Sequence, residues 1–247
     1  MRLLVPGAGG RTPGEELDLE GLAAAYAVPA DPWLRCNMVT TLDGAARGPD
    51  NRSGSINTDA DHVVFELLRA LSDAVIVGAG TIRVEGYSAI AVPTELQPIR
   101  ERAGLGAALP LIAVSRTGFL PPTLKDSPHG DVLLATSASA PGIGDARSAL
   151  GADHVLVCGE VEVDLAELLR HLHARGWTSL LTEGGPRLTA SFLSAGLLDE
   201  LCFTIAPRLV GGDHPRPVAA DAAPLDLELA VLVEQDGSLM GRWLARR

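Results

Sequence analysis

The chain has 247 residues, enough for one large domain or two small ones, and its 47% apolar against 21% charged residues is a soluble globular balance. A net charge of −11 repels polyanions, and 4% aromatic residues leave few rings to stack on bases, so a nucleic-acid binder and an acidic-membrane binder are set aside. Cys36, Cys158 and Cys202 stand far apart with no C-x-x-C, which points to small buried hydrophobes in a reducing compartment rather than a disulfide frame or zinc site.

No apolar run approaches a membrane span, and the start lacks the basic-then-apolar layout of a signal peptide, so a cytoplasmic chain is expected. Residues 1–32 are rich in Gly, Pro and acids. No strand is predicted ahead of "PGAGGRTPGEE", and the segment reads as a mobile N-terminal arm before a single domain over 33–247. "WLRCNMVTTLDG" predicts a strand from Trp33 to about Thr40, ending in a turn at Asp43-Gly44, and "ARGPDNRSGS" is a loop by composition. Ala60, Val63, Val64, Leu67, Leu68 and Leu71 form one continuous helical stripe, with Thr58 as N-cap and Asp61 at the capping-box spacing.

"AVIVG" predicts an apolar strand over 74–78, and residues 83–108 show no period and read as a long surface excursion. Strands are expected at "LPLIAVSR", "DVLLATS" and "HVLVCG", with a short helix between the last two. "DLAELLRHLHARG" is a helix capped by Asp164 and stopped by Gly176, and "SLLTEGG" is a strand that runs into a glycine turn. Pro186 suits the first position of the next helix. From "DELCFTIAPRLVGG" onward only strands are expected. The alternation in the middle and the strand-only tail predict an α/β fold: a mostly parallel central sheet flanked by helices, with antiparallel C-terminal strands.

Ligands of open α/β sheets collect at the carboxyl ends of strands, and two turns there lack side chains: Gly78-Ala79-Gly80-Thr81 and Gly184-Gly185. Glycine lets a phosphate approach the backbone, and the free N–H groups of a helix start attract its charge. The dinucleotide fingerprint does not fit, because Arg83 stands where its third glycine belongs, and no G-K-[ST] follows for a P-loop. Ser115-Arg116 places a hydroxyl and a guanidinium at a strand end, a clamp suited to the phosphate monoester that distinguishes NADP from NAD.

Three blocks carry a family likeness: "TTLDG", "LRALSDAVIVGAGTIR" and "LLTEGGPRLTASFLSAGLLDELCFTIAPRLVGG". In that order and spacing they resemble the C-terminal reductase domain of the bacterial riboflavin-biosynthesis protein, over about residues 33–245. The resemblance implies a dihydrofolate reductase-like fold, a homodimer, and NADPH as cofactor. It implies reduction of the ribose of a ribosylaminopyrimidine phosphate to ribitol, most simply in 5-amino-6-(5-phosphoribosylamino)uracil. It puts Gly78, Ala79, Gly80 and Thr81 on the cofactor phosphates, Glu183, Gly184 and Gly185 along its pyrophosphate and nicotinamide side, and Ser115 and Arg116 on the 2′-phosphate. Asp43 then lies in the substrate pocket, with Thr41 of the same block beside it, and Thr58 at a polar position near the pocket. The family often continues with D-[DN]-P-x-L-T-x-R. Here "VEGYSAIAV" follows instead, without the arginine that helps hold the substrate phosphate. No H-x-E with P-C-x-x-C is present, so a stand-alone reductase is expected.

Asp43 is the candidate for orienting substrate or relaying a proton, although Asp-Gly is a turn dipeptide in its own right. Glu183 ends a buried strand and needs hydrogen-bond partners there, whether backbone N–H groups or cofactor. Arg69 lies off the apolar stripe of its helix and is either a solvated charge or a ligand for a substrate anion. His171 and His173, two apart, do not share a helix face, and no metal is expected. Dihydrofolate as substrate, and a non-catalytic NADP-binding protein, are the alternatives.

Overall fold

The computed structural model describes residues 1–7, 10–29, 32–125, 132–219 and 222–246. In chain order its elements are β1 (Arg2–Val5), α1 (Leu19–Ala25), β2 (Trp33–Thr41), α2 (Asp59–Ala70), β3 (Ala74–Gly78), α3 (Ala79–Glu85), α4 (Gln97–Arg102), β4 (Leu111–Val114) and α5 (Pro122–Lys125). They continue with β5 (Val132–Thr136), α6 (Ile143–Leu150), β6 (Val155–Val157), α7 (Leu165–His173), β7 (Ser179–Thr182), α8 (Pro186–Ser194), β8 (Glu200–Ala206), β9 (Leu227–Gln235) and β10 (Ser238–Ala245). The described strands all join one 10-stranded sheet in the order β1-β9-β10-β8-β2-β7-β3-β4-β5-β6.

From β8 through β6 the neighbours run parallel, and β8, β10, β9 and β1 pair antiparallel, as the strand-only tail predicted. The apolar run of β3 splits by parity. Val75 and Val77 join a core with Leu67 and Leu68 of α2, while Ala74 and Ile76 join a second core with Leu168 and Leu172 of α7 and Phe192 of α8. A strand buried on both faces needs such a continuous apolar run. Helix α2 starts where its cap predicted, with Thr58 Oγ1 accepting from Asp61 N at 3.2 Å. Val63, placed in its stripe, is instead 42% exposed.

The described part of the first 32 residues, read from the sequence as an arm, packs against the sheet. Strand β1 pairs with β9, Leu3 and Tyr26 are fully buried, and Asp18 caps α1 by accepting from Gly21 N at 2.8 Å. A four-residue strand whose partner lies more than two hundred residues away leaves no local period to read. Nor is 83–108 all surface: Arg100 of α4 is 1% exposed and donates to the carbonyl oxygens of Ala70 (3.3 Å), Ser72 (2.5 Å) and Ala108 (2.6 Å). Its guanidinium thus satisfies carbonyls at the C-terminal end of α2, where a cation is favoured.

Candidate active site

Strand β7 lies between β2 and β3, so the carboxyl ends of three parallel strands meet at one crevice. The β3–β7 ladder continues past the strand ends: Glu183 N donates to Ile76 O at 3.1 Å and Gly78 N to Gly184 O at 2.7 Å. The two glycine turns, 106 residues apart, are therefore joined backbone to backbone. Neither α3 nor α8, which start at these turns, has a side-chain cap on its first N–H groups. Gly184 has φ +79°, and the Gly184–Gly185 peptide is cis. A Cβ on Gly185 would lie 2.3 Å from Thr81 Oγ1, so any larger residue here forces the Thr81 side chain to move.

Beside the joined turns opens a cleft of about 420 Å³. Asn37 and Met38 of β2, Asp61, Phe65 and Arg69 of α2, Thr81 and Glu85 of α3, Tyr87, Glu183 and Gly185 are among its lining residues. Glu183 is 7% exposed and holds three donors: Arg69 Nε at 2.7 Å to Oε1, Arg69 Nη2 at 3.0 Å and Tyr87 Oη at 2.7 Å to Oε2. These are side-chain partners, not the backbone N–H groups weighed from the sequence. Arg69 is neither solvated nor free, for its Nη1 also donates to Glu66 at 3.2 Å and its guanidinium lies 3.9 Å from the Phe65 ring centroid. Its pKa is raised: burial pulls it down, and the Glu183 carboxylate outweighs that. Burial, then Glu183, pushes the Tyr87 hydroxyl well above its ordinary value, so it stays a donor.

Several expected residues stand elsewhere. Thr41 is buried, accepts from Ala45 N at 3.0 Å and donates to Asp43. Asp43 is exposed and accepts through Oδ2 from Val210 N (3.1 Å) and Gly211 N (2.7 Å). Its carboxyl is held down at about 2 by the Thr41 hydroxyl first and then by those amides. It ties the Asp-Gly turn to the segment after β8, and neither it nor Thr41 lines the cleft. Thr58 spends its hydroxyl on the α2 cap and on Ser238 Oγ, 2.9 Å away. Ser115 is buried with its hydroxyl 3.4 Å from both Thr117 Oγ1 and Phe119 O, whereas Arg116 is exposed at the end of β4, the parallel neighbour of β3. Gly78, Ala79 and Gly80 form the turn at the edge of the cleft rather than its lining.

Sequence reasoning missed Asn37, Arg47, Phe65, Glu85 and Tyr87, and took Asp61 only for its spacing. Glu85 is the acid in "VEGYSAIAV", and both its carboxylate oxygens accept from Ser53 N, at 3.0 and 3.3 Å. Phe65 lies one turn after Asp61 and one turn before Arg69, and that i, i+4 series on one helix was the available signal. All three cysteines are buried and free, and among the described residues no His, Cys, Asp and Glu group could hold a metal. No described helix is long and apolar enough to cross a membrane.

A sequence model of the RibD C-terminal domain matches residues 32–238. The chain is 30% identical to the 2,5-diamino-6-ribosylamino-4(3H)-pyrimidinone 5′-phosphate reductase of Archaeoglobus fulgidus, over 74% of this chain and 84% of that one. It is 31% identical to the enzyme of the same name from Methanothermobacter thermautotrophicus, over 83% and 95%. Among solved structures, a pyrimidine reductase-like protein of Corynebacterium diphtheriae superposes with a TM-score of 0.79 at 25% identity, covering 92% of this chain and 98% of that one.

Proposed function

The chain belongs to the RibD C-terminal domain family of riboflavin-biosynthesis pyrimidine reductases, whose fold is dihydrofolate reductase-like, and from that premise we propose that it reduces a ribosylaminopyrimidine phosphate with NADPH. The joining of Gly78 to Gly184 at 2.7 Å, beside the cleft, carries this reading. Two uncapped helix starts and side-chain-free turns face one place, which fits a pyrophosphate. When bound, the nicotinamide supplies the hydride that turns the ribosyl group into ribityl. The protein binds, orients and excludes water. Gly78, Ala79, Gly80, Thr81, Gly184 and Gly185 hold the phosphates, Arg116 the 2′-phosphate, and Glu183, fixed by Arg69 and Tyr87, borders the reacting region.

Arg69 is committed to Glu183 and Glu66, which leaves Arg47 as the cleft-lining cation for the substrate phosphate. Its Nη1 reaches Asn51 Oδ1 at only 3.3 Å, so it can turn to a stronger acceptor. Asp43 positions the cleft wall by holding the turn that leads to Ala46 and Arg47. For the proposed homodimer we take the face of β8–β10, where Leu201, Phe203, Ile205, Leu229, Leu239 and Trp243 make an apolar surface, as the contact.

NADPH oxidation with a ribosylaminopyrimidine phosphate and with dihydrofolate tests this reading. Turnover of the first alone is expected. Turnover of dihydrofolate alone, or of neither, contradicts it.

A further inference from the structure

The carboxylate of Asp61 is only half used by the fold: Thr204 bonds to it, and its Oδ1 is left over. It sits at the capping-box spacing but does not close the box, because Thr58 N is already bonded to Asn57 Oδ1 at 2.7 Å. The residue is 3% exposed, lines the cleft, and its Oδ1 has no hydrogen-bond partner among the described residues. Neither cleft arginine is bonded to it: Arg69 is held by Glu183 and Glu66, and Arg47 contacts Asn51. Burial lifts its carboxyl to about 6, against the opposing pull of a Thr204 hydrogen bond and of the exposed His62. A buried acceptor left this way is costly unless a ligand completes it.

We propose that Asp61 is the specificity-determining residue that reads the 2-amino-4-oxo edge of the pyrimidine, so that the chain takes the 2-aminopyrimidinone rather than the uracil. The inference rests on the reductase reading and deepens it. A carboxylate only accepts hydrogen bonds, and with about four lone-pair sites on its two oxygens it can take two parallel donors while keeping the Thr204 bond. The ring N–H and the neighbouring exocyclic amino group of a 2-amino-4-oxo-pyrimidine are such a pair. In the uracil a carbonyl oxygen replaces the amino group, and two acceptors then face each other. Phe65, one turn further along α2, also lines the cleft and adds apolar surface beside Asp61. Asn37 lines the same wall from β2.

The test compares steady-state NADPH oxidation by the full chain and by Asp61→Asn. The substrates are 2,5-diamino-6-ribosylamino-4(3H)-pyrimidinone 5′-phosphate and 5-amino-6-(5-phosphoribosylamino)uracil. Calorimetry in parallel measures binding of the bare heterocycles, triaminopyrimidinone and diaminouracil. The amino compound is expected to lead by roughly 100-fold in kcat/KM, as for a site that rejects a ligand leaving its polar group unpaired. Asp61→Asn, which can both donate and accept, should collapse that lead to within about threefold while the melting transition stays cooperative. Equal use of both compounds by wild type, or a preference that survives Asp61→Asn, overturns the proposal while the reductase reading stands. An equal loss of kcat on both compounds overturns it too, by making Asp61 a proton donor. If neither phosphate is turned over, the reductase reading falls and the heterocycles decide: a preference abolished by Asp61→Asn upholds the proposal, and equal or absent binding ends it.

Discussion

Arg69 grips Glu183 through two parallel bonds, Nε to Oε1 at 2.7 Å and Nη2 to Oε2 at 3.0 Å, across 114 residues of sequence. The Glu183 side chain is 2% exposed and that of Arg69 13%, so the pair is desolvated on both sides. Removing one partner of such a pair leaves the other charge buried. Arg69→Ala should cost about 3–5 kcal/mol in urea unfolding, and Arg69→Met with Glu183→Gln together should cost less than Arg69→Ala alone. A double variant no more stable than Arg69→Ala would show that the pair is not what holds this wall.

Gly185 lies where a Cβ would come within 2.3 Å of Thr81 Oγ1. Gly185→Ala should therefore destabilise the fold by about 1–3 kcal/mol and weaken NADPH binding. Thr81→Ala in that background should recover stability without recovering cofactor affinity. Thermal melts and NADPH titration of the three proteins check both halves.

The location of this cleft was partly legible. The apolar strands and glycine turns at Gly78 and Gly184 are local features, and the blocks around them carried the family. That β7 returns to lie between β2 and β3 is a property of sheet order, not of any window, yet it is what brings the turns together. Asp61 offers the sequence only a capping-box spacing, which is local, whereas its place in the cleft lining comes from tertiary packing. Asp43, placed in the substrate pocket by the resemblance, stands outside the cleft lining, with its carboxylate used on Val210 and Gly211. Tyr87 and Glu85 sit in a segment without period, where only tertiary structure assigns a role.

Asp61 and Asp43 should leave opposite marks on stability against pH. For Asp61, whose folded value is raised to about 6, the native state binds more protons than the unfolded chain between roughly pH 4 and 6, so stability falls as pH rises through that window. Asp61→Asn should remove the slope and raise stability above pH 6 by an amount on the order of 2 kcal/mol. For Asp43, held down at about 2, the contribution is complete above the unfolded carboxylate value of roughly 4 and is lost as pH falls towards 2. Urea midpoints across pH for wild type, Asp61→Asn and Asp43→Asn read both signs.

Arg116, exposed at the end of β4, is the group assigned to the 2′-phosphate. Arg116→Gln should weaken NADPH binding by roughly 10- to 100-fold and leave NADH unchanged, as expected for loss of a charge-assisted bond. Equal weakening of both cofactors, or of neither, would move the 2′-phosphate elsewhere.

The most direct measurement is a crystal structure of the chain with NADPH. The dinucleotide's pyrophosphate should lie between the Gly78–Thr81 turn and Gly184-Gly185, with the nicotinamide in the cleft beside Glu183. A dinucleotide bound at any other surface, with both turns clear of it, would contradict the assignment.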